Sequence, residues 1–271
     1  MPELPEVETT RRGIEPYVTG AKIRDVIVKR RDLRQPVSES LSSLEGRTIR
    51  SAERRSKYLL LRIDDDSTLL IHLGMSGSLR VIDPASDWKK HDHVALTLSN
   101  GRQLRFHDPR RFGLVLHLTG DPEQHPLLAN LGPEPLGDDF TPAVLKAACA
   151  KRSVAVKLAI MDAKVVVGVG NIYASEALFR SGIKPRTAAS SLTLPRLKKL
   201  TAAIRQVLAE SIEQGGTTLR DFLHSDGEPG YFRQRLFVYE RKGQPCLVCG
   251  TPILHEVLGQ RSTYWCPKCQ K

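Results

Sequence analysis

The sequence predicts an α+β protein in which an N-terminal antiparallel β-sandwich, led by one helix, precedes a helical domain and a small four-cysteine zinc finger. Three observations predict it. Between residues 20 and 118, short β-branched and leucine-rich runs are separated by turn signals such as Asn100-Gly101. Beyond residue 141 the apolar repeat lengthens to that of a helix. Near the end stand two Cys-x-x-Cys pairs, Cys246/Cys249 and Cys266/Cys269, with sixteen residues between them. The expected division is a sandwich over 1–118, a linker over 119–141, a helical domain over 142–230 and a finger over 231–271.

Leu4, Val7, Ile14 and Val18 recur amid charges and predict a helix over 3–17 that stops near Gly20. Strands are expected at 22–29, 57–63, 68–73, 93–98, 103–107 and 114–118; in the fourth, Val94, Leu96 and Leu98 alternate with polar or small neighbours. Asp64-Asp65-Asp66-Ser67 reads as a turn. Residues 119–141 are rich in Pro, Gly and acids, the composition of an interdomain connection. Helices are expected at 142–150, 153–162, 172–180 and 194–212. The last is the clearest, with Leu197, Leu200, Ile204, Val207, Leu208 and Ile212 on one face, Pro195 in the first turn and Gly215-Gly216 beyond the end.

At 271 residues the chain suffices for two domains, or one and an accessory module. It has no run of about 18 apolar residues and no signal-peptide pattern at its start. A net charge of +11 and a pI of about 9.6 favour a polyanionic partner. Residues 231–271 alone hold seven basic residues against two acids. Few cysteines, four of them in one pattern, fit a reducing cytoplasm, with Cys149 as a buried structural thiol.

The chemistry-bearing stretches begin at Met1-Pro2-Glu3-Leu4-Pro5-Glu6. Removal of Met1, expected before a residue as small as proline, leaves Pro2 a secondary amine with a pKa near ~8 rather than the ~10.4 of lysine. Such an amine condenses with a carbonyl or a sugar C1′, and Glu3 and Glu6 could move protons beside it. Proline followed by acids is also an ordinary helix start. The four cysteines suit one closed, tetrahedral, structural zinc ion, against chance thiol or redox pairs, and a metal-pinned hairpin would hold Arg261 against a phosphate or simply in solvent. Gly168-Val169-Gly170-Asn171 opens a helix with a capping asparagine and free amides that suit a phosphate, but lacks the third glycine of a dinucleotide fingerprint. Lys57, at the head of an apolar strand, reads as an edge gatekeeper or a partly desolvated acid/base. His91 and His93 suit phosphate contact or exposure better than metal. Met75 and the run Asp108-Pro109-Arg110-Arg111-Phe112-Gly113 put large side chains on turns, as a wedge filling the gap of an extruded base would, or as core anchors.

Taken together, these stretches resemble the bacterial formamidopyrimidine-DNA glycosylase family of bifunctional base-excision repair enzymes. The match includes Pro2–Thr9, Lys57–Leu61, His72-Leu73-Gly74-Met75-Ser76-Gly77, His91-Asp92-His93, Asp108–Gly113, residues 168–176, Gln214-Gly215-Gly216-Thr217-Thr218 and the finger. The resemblance implies a sandwich, a helix-two-turn-helix domain and a zinc finger. It implies that Pro2 attacks C1′, with Glu3 as acid/base and Glu6 in support, and that β- then δ-elimination cut the strand. Lys57 matches the β-elimination proton donor and Arg261 the δ-elimination group; an arginine pKa above ~12 favours phosphate orientation over proton donation. His91, Arg110 and Arg152 match DNA-contacting positions, Lys157 and Asn171 phosphate contacts, and Met75, Arg110 and Phe112 the void-filling wedge. Residues 217–231 match a loop closing on the extruded base. The implied partner is duplex DNA containing 8-oxoguanine, formamidopyrimidines or abasic sites, met by a monomer at the cytoplasmic nucleoid with no membrane involved. While Met1 remains attached, Pro2 is a tertiary amide without a nucleophilic lone pair. The related endonuclease VIII branch, a lesion-binding protein lacking lyase activity and a zinc-ribbon factor are the competing readings; Met75, Arg110, Phe112 and the N-terminus favour the purine-specific branch.

Overall fold

The computed structural model describes residues 2–218 and 236–271, so Met1 and most of the expected base-covering loop at 217–231 lie outside the described residues. Two compact units are present, whose described parts are 2–129 with 212–218, and 130–211 with 236–271.

The first unit opens with α1 (Leu4–Val18). Glu3 is its N-cap, and the Glu3 amide donates to the Glu6 carboxylate at 2.8 Å, so an otherwise orphaned donor is satisfied at the positive end of the helix. Val7, Ile14 and Val18 turn the apolar stripe of α1 onto the sandwich core. Eight strands follow: β1 (Ile23–Val28), β2 (Ile49–Arg55), β3 (Tyr58–Ile63), β4 (Thr68–His72), β5 (Ser78–Ile82), β6 (Asp92–Leu98), β7 (Gln103–His107) and β8 (Leu114–Leu118). They pair antiparallel in two four-stranded sheets, ordered β1-β6-β7-β5 and β2-β3-β4-β8. One core joins the sheets, with Val94, Leu96, Leu104 and Phe106 from the first and Leu59, Leu61, Leu69 and Ile71 from the second. On the other face of the second sheet, Leu60, Leu70 and Leu116 form a buried cross-strand row. Burial on both faces explains why Leu59-Leu60-Leu61 reads as a continuous apolar run.

The strands expected from the sequence are present. Two more, β2 and β5, were not legible because both are edge strands whose charges interrupt the pattern: Arg50, Glu53, Arg54 and Arg55 in β2, Arg80 in β5. Lys57 also needs correcting. It is the second residue of the two-residue turn Ser56-Lys57 between paired Arg55 and Tyr58, not the first of a strand. Ser56, at φ 57°, supplies the positive φ with which this tight turn begins.

A buried ionic cluster holds the loop before β6. The Asp92 carboxylate meets Arg80, Arg105 (3.3 Å) and His107 Nδ1 (2.8 Å), and accepts from the Lys89 amide at 3.0 Å. Arg105, itself enclosed, donates to the Ser86 and Asp87 carbonyls and lies 4.2 Å from the Trp88 ring centroid. Burial pushes the Asp92 pKa up, but His107, the Lys89 amide and Arg80 outweigh it and leave the group at about 2, below its ordinary 3.8. A depressed folded-state pKa gives stability that is complete above pH ~4 and lost as the pH falls through about 2. Asp92→Asn, which strands Arg105 without its counter-charge, is expected to cost about 3–5 kcal/mol in urea unfolding at pH 7. That gap to wild type should narrow below pH 4; a pH-independent gap contradicts the assignment.

The second unit contains α2 (Pro142–Cys149), α3 (Val156–Met161), α4 (Asn171–Arg180), the first part of α5 (Leu194–Thr218), and the hairpin β9 (Leu254–Leu258) and β10 (Arg261–Trp265). Its core gathers Phe140, Leu145, Val156, Ile160, Tyr173, Leu178, Leu197, Leu200 and Ile204. Cys149 lies in that core, and burial raises its thiol pKa, which makes it the inert packing group expected. The expected stop of α5 at Ile212 is overturned: the helix runs through Gly215-Gly216 to Thr218. Each glycine costs only about 1 kcal/mol relative to alanine, too little to end a helix whose stability comes from packing. No described helix is long and apolar enough to cross a membrane.

Candidate active site and nucleic-acid interface

In the first unit, seven of the expected site residues sit on the rim of the sandwich and on the start of α1. Pro2 is half-buried immediately before the N-cap, and the Glu3 side chain beside it is almost fully enclosed, 1% exposed. The capping box holds this carboxylate on the Glu6 amide, one residue after Pro2. Nothing in the sequence signals what ties Lys57 to this helix. Buried Glu8, one face of α1 further on, pairs with Arg54 at 3.2 Å, and Arg54 donates to the Ser56 carbonyl at 2.9 Å inside the Lys57 turn. Burial raises the Glu8 pKa, but bonds to Arg11 and Arg12 and the charge of Arg54 bring it below its ordinary value, so the tether is ionised. Beside the same turn, burial and then the charges of Arg34 and Lys57 lower His72 to about 4. His72 is thus neutral near pH 7, and its Nδ1 accepts from the Gly74 amide at 3.0 Å.

Met75 and Phe112 are 37% and 43% exposed, unusual for their size, and the Arg110 guanidinium stands 5.0 Å from the Phe112 ring centroid. Their two loops touch backbone to backbone: a Cβ on Gly74, at φ 67°, would lie 2.5 Å from the Phe112 carbonyl carbon and 2.6 Å from the Gly113 nitrogen. The core-anchor alternative for Met75 and Phe112 therefore fails. His91 is half-buried at the end of the loop that Asp92 and Arg105 pin, with its ring 5.9 Å from that of His107.

In the second unit, Gly170 rather than Asn171 is the N-cap of α4. Asn171 Nδ2 instead donates to the Ser262 carbonyl at 3.0 Å. Lys157, expected at a phosphate, is 0% exposed, and its ammonium donates to the same Ser262 carbonyl and to Thr263 Oγ1, each at 2.8 Å. Both side chains thereby hold the strand that begins with Arg261. Arg261 itself is exposed, directly after the turn Gly259-Gln260, whose φ values of 51° and 61° match a type I′ hairpin. Arg152 donates to the Ala148 carbonyl at 3.0 Å and to Asp162 at 2.8 Å, leaving about a third of its side chain exposed. One residue the sequence reading passed over is Glu176. Its buried carboxylate accepts from three successive amides, Phe237 (2.8 Å), Val238 (3.0 Å) and Tyr239 (2.9 Å), where the chain leads into the finger.

The four cysteine sulfurs all lie within 4.8 Å of one another, with Cys246–Cys269 at 3.9 Å and Cys249–Cys266 at 3.5 Å. Tetrahedral zinc with ~2.3 Å bonds to sulfur needs sulfurs about 3.8 Å apart, so the set fits one zinc ion, with no position left for a substrate. Burial and the neighbouring thiols raise Cys269, so that four thiolates this close call for a cation.

Residues 1–115 match the formamidopyrimidine-DNA glycosylase N-terminal domain, 131–223 the formamidopyrimidine-DNA glycosylase H2TH domain, and 243–271 the zinc finger found in FPG and IleRS. A curated formamidopyrimidine-DNA glycosylase of Cronobacter sakazakii is 57% identical over 271 residues, covering both chains completely. Among solved structures, the MutM (Fpg) protein of Thermus thermophilus superposes with a TM-score of 0.86 at 41% identity, over 99% of this chain and 98% of that one. The Lactococcus lactis Fpg in complex with DNA containing FAPY-dG gives 0.89 at 32% identity, over 99% and 100%. Full-length identity of this order, on a chain that carries both the proline-led helix and the four-sulfur cluster, places it in the formamidopyrimidine-DNA glycosylase family.

Proposed function

We propose that this chain is a bifunctional DNA glycosylase and abasic-site lyase of base-excision repair, removing 8-oxoguanine and formamidopyrimidines from duplex DNA in the bacterial nucleoid as a monomer. In this reading residues 1–118 carry the chemistry, 119–141 connect, and 142–230 and 231–271 grip the duplex. The net charge of +11 suits that partner. The observation that carries the reading is the start of α1, where Pro2 directly precedes an N-cap glutamate whose carboxylate is enclosed and held by the capping box.

With Met1 removed, the Pro2 nitrogen attacks C1′, and the glycosidic electron pair leaves with the base, which takes up a proton. Glu3 serves as the acid/base at this step, with Glu6 oriented beside it by the Glu3 amide. The nitrogen lone pair then expels the ring oxygen, which is protonated, and the C1′ iminium is formed. Loss of a C2′ proton drives out the 3′ phosphate, with Lys57 as proton donor, and loss of the C4′ proton drives out the 5′ phosphate. Arg261 orients that second phosphate by paired N–H donors. Met75, Arg110 and Phe112 fill the space of the extruded nucleotide, and His91, Arg152 and Asn171 contact the backbone. The zinc ion, bound by Cys246, Cys249, Cys266 and Cys269, supplies shape to the finger and takes no part in the chemistry.

Borohydride trapping on duplex DNA with 8-oxoguanine opposite cytosine, followed by peptide mapping, tests this. A covalent adduct at Pro2 is expected; an adduct elsewhere defeats the mechanism, and none at all defeats it and leaves a lesion-binding protein. Arg261→Gln should separate the two cleavages: abasic DNA still loses its 3′ phosphate, while the product that requires 5′ release falls about tenfold or more, as for loss of a hydrogen bond to a charged group. An unchanged product ratio on a denaturing gel removes Arg261 from the second step.

A further inference from the structure

The three wedge side chains come from two separate loops, and one buried carboxylate reaches both. Asp108 is 0% exposed. Its Oδ1 accepts from the Ser76 hydroxyl at 3.0 Å and from the Arg110 amide at 3.3 Å, and its Oδ2 accepts from the Gly113 amide at 2.8 Å. The Ser76 oxygen in turn accepts from the Arg110 amide at 3.2 Å, closing a ring across the two loops. The Asp108 backbone is fixed as well, since its amide donates to the His91 carbonyl at 2.9 Å and its own carbonyl lies 2.8 Å from His93 Nε2.

We infer that Asp108 is a positioning residue for base extrusion: it holds the Met75 loop and the Arg110–Phe112 loop in one register, so that the wedge enters the duplex already assembled. Two half-exposed apolar side chains on glycine-flanked loops have little packing of their own to keep them erect. Charge-assisted bonds from a carboxylate to two backbone amides and one hydroxyl supply what packing does not. The energetic reason for stiffness is that the void is filled while a stacked base pair is being opened, which costs a few kcal/mol, and a floppy wedge would lose part of its contribution to ordering. Opening is needed for a lesion base stacked in the duplex. It is needed far less at a site that already lacks its base. Asp108 should therefore govern excision of a base and spare the lyase step.

The inference rests on the wedge reading of Met75, Arg110 and Phe112, and the experiment separates the two. Single-turnover rates are measured for Asp108→Asn, Ser76→Ala and Phe112→Ala on two duplexes, one with 8-oxoguanine opposite cytosine and one with a natural abasic site. Asn keeps an acceptor for Ser76 and Arg110 but presents an N–H to the Gly113 amide. Asp108→Asn is expected to slow base excision about ten- to hundredfold, the range for a lost hydrogen bond to a charged group, with abasic cleavage within about threefold of wild type. Ser76→Ala, which breaks only the bridge, should fall between Asp108→Asn and wild type. If Phe112→Ala slows base excision selectively and Asp108→Asn does not, the inference is wrong and the wedge stands. If Phe112→Ala shows no selectivity either, the wedge reading itself fails. An equal loss on both duplexes, accompanied by a lower melting temperature, would assign Asp108 to fold stability alone and overturn the inference.

Discussion

Glu3→Gln is expected to slow base excision by about a hundred- to ten-thousandfold, the usual contribution of a positioned acid or base, while borohydride still traps the variant on DNA that is already abasic. The asymmetry follows from the geometry. Glu3 adjoins the nucleophile without being it, and the side-chain amide that replaces its carboxylate can still donate and accept at the N-cap, so α1 and its position survive. Pro2→Gly, which leaves a primary amine of similar pKa able to form a neutral imine in place of the obligate iminium, should lower the trapping yield on both substrates. The measurement is the yield of covalent adduct with each DNA, read beside the intact mass of the protein. Protein that keeps Met1 and yet forms the adduct would refute the chemistry, since an amide nitrogen has no lone pair to give.

Removal of zinc by chelation, or Cys266→Ser, should unfold the finger and with it most of the affinity for duplex DNA. The apolar cluster around the cysteines is small, drawn from Phe179, Val238, Ile253 and the cysteines themselves with Phe237 and Tyr264 at its margin. A structural zinc ion contributes about 10–16 kcal/mol in peptides of this kind, more than such a cluster can replace. Metal content by mass spectrometry and binding by fluorescence anisotropy on the same samples check this. Full affinity at zero metal would show that the hairpin carrying Arg261 stands without the ion.

The parts of the fold legible in the sequence are those whose burial is one-sided or complete. The alternation of Val94, Leu96 and Leu98 gives β6 because these three enter the sandwich core while Ala95, equally buried, and Thr97 take the other face, and the six-residue face of α5 gives that helix because its solvent boundary writes itself into the spacing. Strand β2 escapes since half its side chains are arginines and glutamate engaged in ion pairs, Glu53 with Arg62 and Arg54 with Glu8. The four cysteines are legible because zinc geometry admits few alternatives, and the start of α1 because proline followed by acids marks a helix N-terminus. Residues that act at one remove are not. Asp108, Glu176 and Glu8 each accept from a donor distant in sequence, the Ser76 hydroxyl 32 residues away, three amides 61 to 63 away and the Arg54 guanidinium 46 away, and no local pattern announces a carboxylate with so remote a donor. Lys157, which the resemblance sets at a phosphate, donates within the protein to the Ser262 carbonyl and the Thr263 hydroxyl, partners more than a hundred residues away that no local pattern announces.

The carboxylate of Glu176 is matched at the far end of the finger by Gln270, which accepts from the Cys266 amide and donates to the Ile183 carbonyl, both at about the ideal distance for such bonds. Entrance and exit of this module are thus soldered to α4 and the turn after it. A finger transplanted from a relative would be expected to graft cleanly only if the recipient's helix offered the same two anchors; without them the metal would still fold the module, but its arginine would face an arbitrary direction.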